Sequence, residues 1–214
     1  MSAWMLGSKT AMPDKLTEWS VAIQVREGEK VCGDHYLICR ASNRVLIAVI
    51  DGIGHGPEAA LASHMAAATL EANLDQSLVS LFKLCHKRLQ RTRGVVMSLA
   101  VIDASDNSIA WLGVGNVEGR LMRVDKSSSH SEEELLKYRG VVGHELSEVL
   151  VFSVLPITKG DILILATDGI HHEFTTDLHL GRSAYNIAND ILTRHGKGTD
   201  DALVMVARYL GDVP

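Results

Sequence analysis

Four acidic positions, each placed at one end of an apolar run, carry the chemistry available to this chain. Asp51 closes Val45-Leu46-Ile47-Ala48-Val49-Ile50 and opens the glycine-rich turn Gly52-Ile53-Gly54-His55-Gly56. Asp168 closes Ile162-Leu163-Ile164-Leu165-Ala166-Thr167 and is followed by Gly169. Asp34, in Gly33-Asp34, precedes a strand pattern around Tyr36 to Arg40, and Asp200-Asp201 precede Ala202-Leu203-Val204-Met205-Val206-Ala207. Carboxylates gathered at about 4 Å repel by about 4 kcal/mol per pair at an effective dielectric near 20, so a cation is required among them if these ends meet. Oxygen donors without thiolate or imidazole suit a hard ion such as Mg²⁺ or Mn²⁺. Glycine after Asp51 lets the chain turn sharply and lets the Gly52 carbonyl approach such an ion.

The elements that position these acids follow from periodicity. Continuous apolar runs before Asp51 and Asp168 predict strands covered on both faces. Strand patterns fall near 18–26, 36–40, 44–50, 95–102, 108–113, 117–124, 136–140, 149–154, 161–166 and 202–209. Pro57 starts an alanine-rich stretch that predicts two helices reaching about Arg91, and a last helix is expected near 183–195. Strands broken by a helical pair, without regular βα alternation, predict an α+β fold with largely antiparallel sheets. The glycines of Gly113-Val114-Gly115-Asn116-Val117-Glu118-Gly119 read as a turn or bulge between strands rather than a dinucleotide loop, and 126–134 reads as a mobile polar loop.

In order, Gly33-Asp34, Asp51-Gly52-Ile53-Gly54-His55-Gly56, Ala166-Thr167-Asp168-Gly169 and Asp200-Asp201-Ala202 resemble the motifs of the metal-dependent type 2C serine/threonine protein phosphatases. The resemblance runs from about Gly33 to Arg208 and is strongest to the compact bacterial branch of sporulation stage II E-like and stressosome feedback phosphatases. It implies a β-sandwich flanked by helices in four αββα layers, with two Mn²⁺ or Mg²⁺ ions at one edge. It also implies that Asp51 bridges the ions, that the Gly52 carbonyl completes one, that Asp168 and Asp200 hold the other, and that Asp34 lies beside the cluster as a ligand or through water. The implied reaction is attack of activated water on phosphoserine or phosphothreonine of a signalling protein, a stressosome scaffold or anti-sigma pathway protein, without a phosphoenzyme. His55 is either a general acid or a brace for its turn.

Departures from the family pattern are also visible. Where many relatives carry a phosphate-binding arginine, this chain has Glu29-Lys30-Val31-Cys32, and Lys30 supplies only a less directional charge. Gly115-Asn116 stands where larger relatives have glycine-aspartate, which removes a carboxylate for a third ion. No segment is long enough for the large flap of the eukaryotic enzymes. Two other readings stay open: a catalytically silent module that kept the fold for docking, and a histidine-kinase-like ATPase suggested by Asp51-Gly52-Ile53-Gly54. The latter needs an upstream helix bearing an asparagine, where the sequence reads as strands.

Composition sets the outer bounds. At 214 residues with 46% hydrophobic content, residues 1–214 are expected to form one phosphatase domain without a separate regulatory unit. A formal charge of −5 gives no electrostatic case for nucleic acid. Neither a secretory leader nor a membrane span is legible, so a cytoplasmic location is expected. Cys32, Cys39 and Cys85 are odd in number and lack zinc-site spacing. Cys85 to Arg91 has the Cys-x5-Arg spacing of thiol phosphatases, but no glycine cradles a phosphate and the segment continues a helical pattern. His144-Glu145-Leu146-Ser147-Glu148 lacks the second histidine of a zinc protease, and His171-His172 read as loop groups. Lys87, Arg88, Arg91 and Arg93 complement a helix end or meet an acidic partner.

Overall fold

The computed structural model describes residues 6–10, 16–125 and 131–211. Two antiparallel-rich sheets carry the strands β1 (Leu6–Thr10), β2 (Thr17–Gln24), β3 (Asp34–Ala41), β4 (Arg44–Gly52), β5 (Val95–Asp103), β6 (Ser108–Val114), β7 (Glu118–Met122), β8 (Glu132–Glu134), β9 (Lys137–Tyr138), β10 (Ser153–Pro156), β11 (Ile162–Ala166) and β12 (Ala202–Tyr209). One sheet has the order β1-β2-β12-β11-β7-β8 and the other β10-β6-β5-β4-β3, with β9 parallel to β6. Helices α1 (Gly56–Glu71) and α2 (Leu78–Leu89) belong to the side of the second sheet, and α3 (Ala184–His195) packs on β2 and β12 of the first. The result is the expected αββα order.

Period-two alternation explains the two cores. On β12, Leu203, Met205, Ala207 and Tyr209 enter the core between the sheets, whereas Ala202, Val204 and Val206 meet α3. On β11, Leu163 and Leu165 point to the first core and Ile162, Ile164 and Ala166 to the second. Both faces of β4 are covered in the same way, so Val45 through Ile50 are all buried. Helix α2 presents Leu78, Leu81, Phe82, Cys85 and Leu89 along one stripe, and the Ser77 hydroxyl caps its start by accepting from the Ser80 N–H at 3.2 Å. Cys85 is therefore a core thiol.

The structure corrects several boundaries. Residues 132–134, placed in a polar loop by the sequence, pair with β7 as a short edge strand, while 126–130 lie outside the described residues. The strand expected near 149–154 forms only at Ser153–Pro156. Strand β1 was not expected, since its sequence Leu6-Gly7-Ser8-Lys9-Thr10 has weak alternation and depends on pairing with β2. The glycine-rich turn after β6 joins no hairpin: it carries the chain from one sheet to the other, where β7 pairs with β11 and β8. Residues 1–5, at the start of the segment read for a leader, are outside the description. No helix among the described residues is long and apolar enough to cross a membrane.

Because Phe82 is fully buried and Leu84 on the same helix is exposed, Phe82→Ala should lower unfolding free energy by about 3–5 kcal/mol and Leu84→Ala by less than about 1 kcal/mol. Denaturant titration at equilibrium reads the difference, and equal losses would contradict this packing of α2.

Candidate metal and active site

Four strand ends meet at one rim of the sandwich. Asp34 opens β3 and lies opposite Asp51 in the β3/β4 register, while Asp168 follows β11 and Asp200 precedes β12 in the facing sheet. A cavity of about 130 Å³ is lined by Asp34, Asp51, Asp168, Asp200 and Asp201, together with Arg26, Ile53, Gly54, His55 and Asn116. Gly52 is buried between Asp51 and Ile53, and its N–H donates to the Gly33 carbonyl at 3.3 Å. The four aspartates singled out as candidate metal ligands thus line this cavity, and Gly52 adjoins it in the chain.

Glycine at position 52 has a second reason beyond carbonyl access. A Cβ there would stand 2.1 Å from the Ala59 carbonyl oxygen of α1, and one on Gly169 would stand 2.0 Å from the Asp201 carbonyl oxygen. In each Asp-Gly pair the glycine permits backbone to pack on backbone directly behind the acid.

A hydroxyl ties the two sheets under the pocket. The Thr167 hydroxyl donates to Asp34 Oδ2 at 2.7 Å and accepts from the Leu203 N–H at 2.9 Å. Burial, opposed by that hydrogen bond and reinforced by Asp201, Asp168 and Asp200, pushes the Asp34 carboxyl up to about 8. Asp51 is also held well above the usual carboxylate range, by burial first and then by the neighbouring acids. Asp168 is raised by burial and by Asp200, against the opposing effects of Lys197 and Asn116.

Sequence reasoning missed the roles of four residues around this rim. Asp201, beside the candidate ligand Asp200 and also in the cavity lining, accepts from the Arg26 N–H at 2.9 Å and the Gly33 N–H at 2.8 Å, which staples both ends of the β2–β3 loop. Arg26 then reaches Asp200 at 3.8 Å, so the loop's cation in the pocket lining is Arg26, and Lys30 is exposed outside that lining. The same loop sends Glu29 to His55, with Oε1 2.6 Å from Nδ1, so the imidazole is braced as well as placed at the pocket. Asn116 is the fourth: its Nδ2 donates to Asp168 Oδ2 at 2.8 Å. Arg93 belongs with the basic run in sequence but pairs with Glu58 in the first turn of α1. The only advance signal for these contacts was proximity to the motifs.

The donor set fits a hard divalent cation. Among the described residues no three carboxylate, imidazole or thiolate side chains are already gathered in an arrangement that would hold a metal ion by themselves. The acids instead ring an open cavity, which suits a magnesium-like ion that keeps several waters and takes few protein ligands. The buried charge of Asp34 and Asp51 is left uncompensated by any lysine or arginine other than Arg26 in the pocket lining.

The family model for stage II sporulation protein E (SpoIIE) matches residues 41–210. The chain belongs to the SpoIIE family. Among SpoIIE-family and related proteins, the phosphoserine phosphatase RsbX of Bacillus subtilis (strain 168) is 23% identical over 167 residues, covering 78% of this chain and 81% of RsbX. A structure described as "The bacterial stressosome: a modular system that has been adapted to control secondary messenger signaling" is 31% identical, with a TM-score of 0.81 over 90% of this chain and 99% of that one. RsbX solved in complex with magnesium is 21% identical and gives a TM-score of 0.82 over 96% of this chain and 100% of that one. The ATPase reading is excluded by the fold, because β2, β3 and β4 occupy the segment where its helix was required.

A carboxyl with a raised folded pKa keeps its proton where the unfolded chain has lost it, so stability falls as pH rises between the two values. In chelator, the protein should lose stability as pH rises from about 4 toward 8, the window set by the Asp34 shift. Asp34→Asn should flatten that decline. Urea titrations across the range measure it, and a stability that rises steadily to pH 8 without metal would contradict the assignment.

Proposed function

We propose that the chain hydrolyses phosphoserine and phosphothreonine on bacterial signalling proteins, with two Mn²⁺ or Mg²⁺ ions held by Asp34, Asp51, the Gly52 carbonyl, Asp168 and Asp200. The observation that carries this reading is the convergence of acids from four strand ends of both sheets on one cavity. Family membership and the phosphoserine phosphatase activity of RsbX support the reaction class, and the stressosome relative supports a phosphorylated stressosome scaffold or related protein as substrate. We further read residues 1–214 as one phosphatase domain that acts in the cytoplasm.

The pocket lining offers no hydroxyl or thiol, and in this reading its carboxylates are engaged with the ions, so water is taken as the attacking group. When bound, the divalent ions supply an activated water and Lewis-acid stabilisation of the phosphoryl oxygens. The protein's part is positioning. Thr167 fixes Asp34, Asn116 fixes Asp168, and Asp201 fixes the loop that delivers Arg26. Arg26 is the guanidinium suited to hold a phosphoryl group on the rim, an interaction that favours paired N–H donors. Glu29 sets the orientation of His55 at the same opening.

Phosphate release from phosphoserine and phosphothreonine proteins tests the reading. Turnover should require Mn²⁺ or Mg²⁺, stop with chelator, and fall by roughly a hundredfold or more in Asp51→Asn and Asp168→Asn. Retained turnover in both variants would sink the carboxylate assignment. Arg26→Ala should raise KM for the phosphoprotein about tenfold with a smaller change in kcat, as expected for loss of a binding contact. A pure kcat loss would move Arg26 out of substrate binding.

A further inference from the structure

The start of β7 carries two side chains that engage the segment following β11. Asn116, just before the strand, binds Asp168 as described. Glu118, two residues on, pairs in register with Ala166 of β11 and is only 7% exposed, yet it is acidic. Its Oε1 contacts His172 Nδ1 directly. The cations near it stand farther away, Lys137 Nζ at 3.6 Å from Oε1 and Arg120 Nη2 at 3.5 Å from Oε2. Arg120 is itself shared with Glu132 at 3.1 Å and Glu134 at 3.0 Å. The tight partner of the buried carboxylate is therefore the histidine.

His172 is an unusual residue to meet a buried acid, because its side chain is 78% exposed and adds little to the core. Its contact with Glu118 acts on the strap that runs from Asp168 through Gly169, Ile170 and His171. On the inner side that strap is tied to the end of α3 and the residues just after it: the Asp168 carbonyl accepts from Lys197 Nζ, and the His171 N–H donates to the His195 carbonyl at 2.9 Å. On the outer side, the side-chain contacts from the start of β7 are Asn116 to Asp168 and Glu118 to His172. We propose that Glu118 and His172 form a latch that sets the position of Asp168, making both of them positioning residues for the metal site. This rests on the metal-site reading above. It assigns a purpose to a buried charge and to a histidine that the sequence marks only as a loop group.

Outer partners of ligating carboxylates commonly change metal affinity by about 10–100-fold when removed. Calorimetric titration of the purified chain with Mn²⁺, alongside melting in chelator, should find roughly tenfold weaker binding in His172→Ala, with metal-free melting unchanged. His172→Asn, whose amide can replace Nδ1, should recover most of the affinity, and Glu118→Gln should weaken binding like His172→Ala. His171→Ala is the neighbouring control and should bind as the wild type does. At saturating Mn²⁺, phosphate release by His172→Ala should return close to the wild-type rate, since the latch sets affinity and not the reaction. The latch is overturned, with the metal site standing, if wild type binds Mn²⁺ and His172→Ala binds it equally well, or loses affinity only together with its metal-free melting point. Wild type that binds no Mn²⁺ overturns the latch and the metal-site reading together.

Discussion

Repulsion among buried carboxylates is the constraint around which this molecule is arranged. Asp34 and Asp51 face each other on adjacent strands, with Asp168, Asp200 and Asp201 brought in from the opposite sheet. Separated strands would let the acids relax into water, so their approach is maintained by the apolar surfaces of both sheets and of the helices outside them. The Thr167 hydroxyl makes that link local, because a single oxygen contacts Asp34 in one sheet and the Leu203 amide in the other. A sandwich stable enough to hold like charges together is also stiff enough to hold them in place for a cation.

Within the rim, each acid has a different kind of support. Asp34 is held by a neutral hydroxyl and Asp168 by an amide, partners that orient a carboxylate without neutralising it. Asp201 accepts two backbone N–H groups and serves the β2–β3 loop. Asp200 alone faces a guanidinium, and at 3.8 Å between half-exposed groups that pairing is weak. Leaving the inner acids uncompensated by fixed cations preserves their attraction for a divalent ion, at a cost to the metal-free fold. The attraction for a cation and the cost to the metal-free fold therefore have the same origin.

The loop between β2 and β3 and the strap after β11 flank the opening from opposite sides. One brings Arg26 and the Glu29 brace for His55, and the other brings Asp168 and ends at His172. Both are fastened by carboxylates of buried residues that lie outside the proposed ligand set, Asp201 and Glu118. Such fastening gives loops the positional precision that a metal site otherwise draws from regular elements.

Much of this was already legible in the chain. Apolar runs ending on Asp51 and Asp168 fixed two strands and the acids at their ends, because strand periodicity and Asp-Gly turns are local properties of consecutive residues. The helical stripe of α2 and the layered fold class followed from the same kind of pattern. Tertiary structure alone decided that Asp201 takes two backbone N–H groups of the β2–β3 loop while Asp200 meets the Arg26 guanidinium, since those donors come from a segment 168 to 175 residues away in the chain. It decided that Arg26 rather than Lys30 lines the cavity, that Asn116 serves Asp168, and that β8 forms where the composition suggested a loop. It also supplied the reason for Gly52, whose missing side chain leaves room for a helix carbonyl from Ala59. Sequence determined which short segments end in chemistry; the packing of distant segments determined which atoms of those ends meet, because such contacts depend on through-space approach that no local pattern encodes.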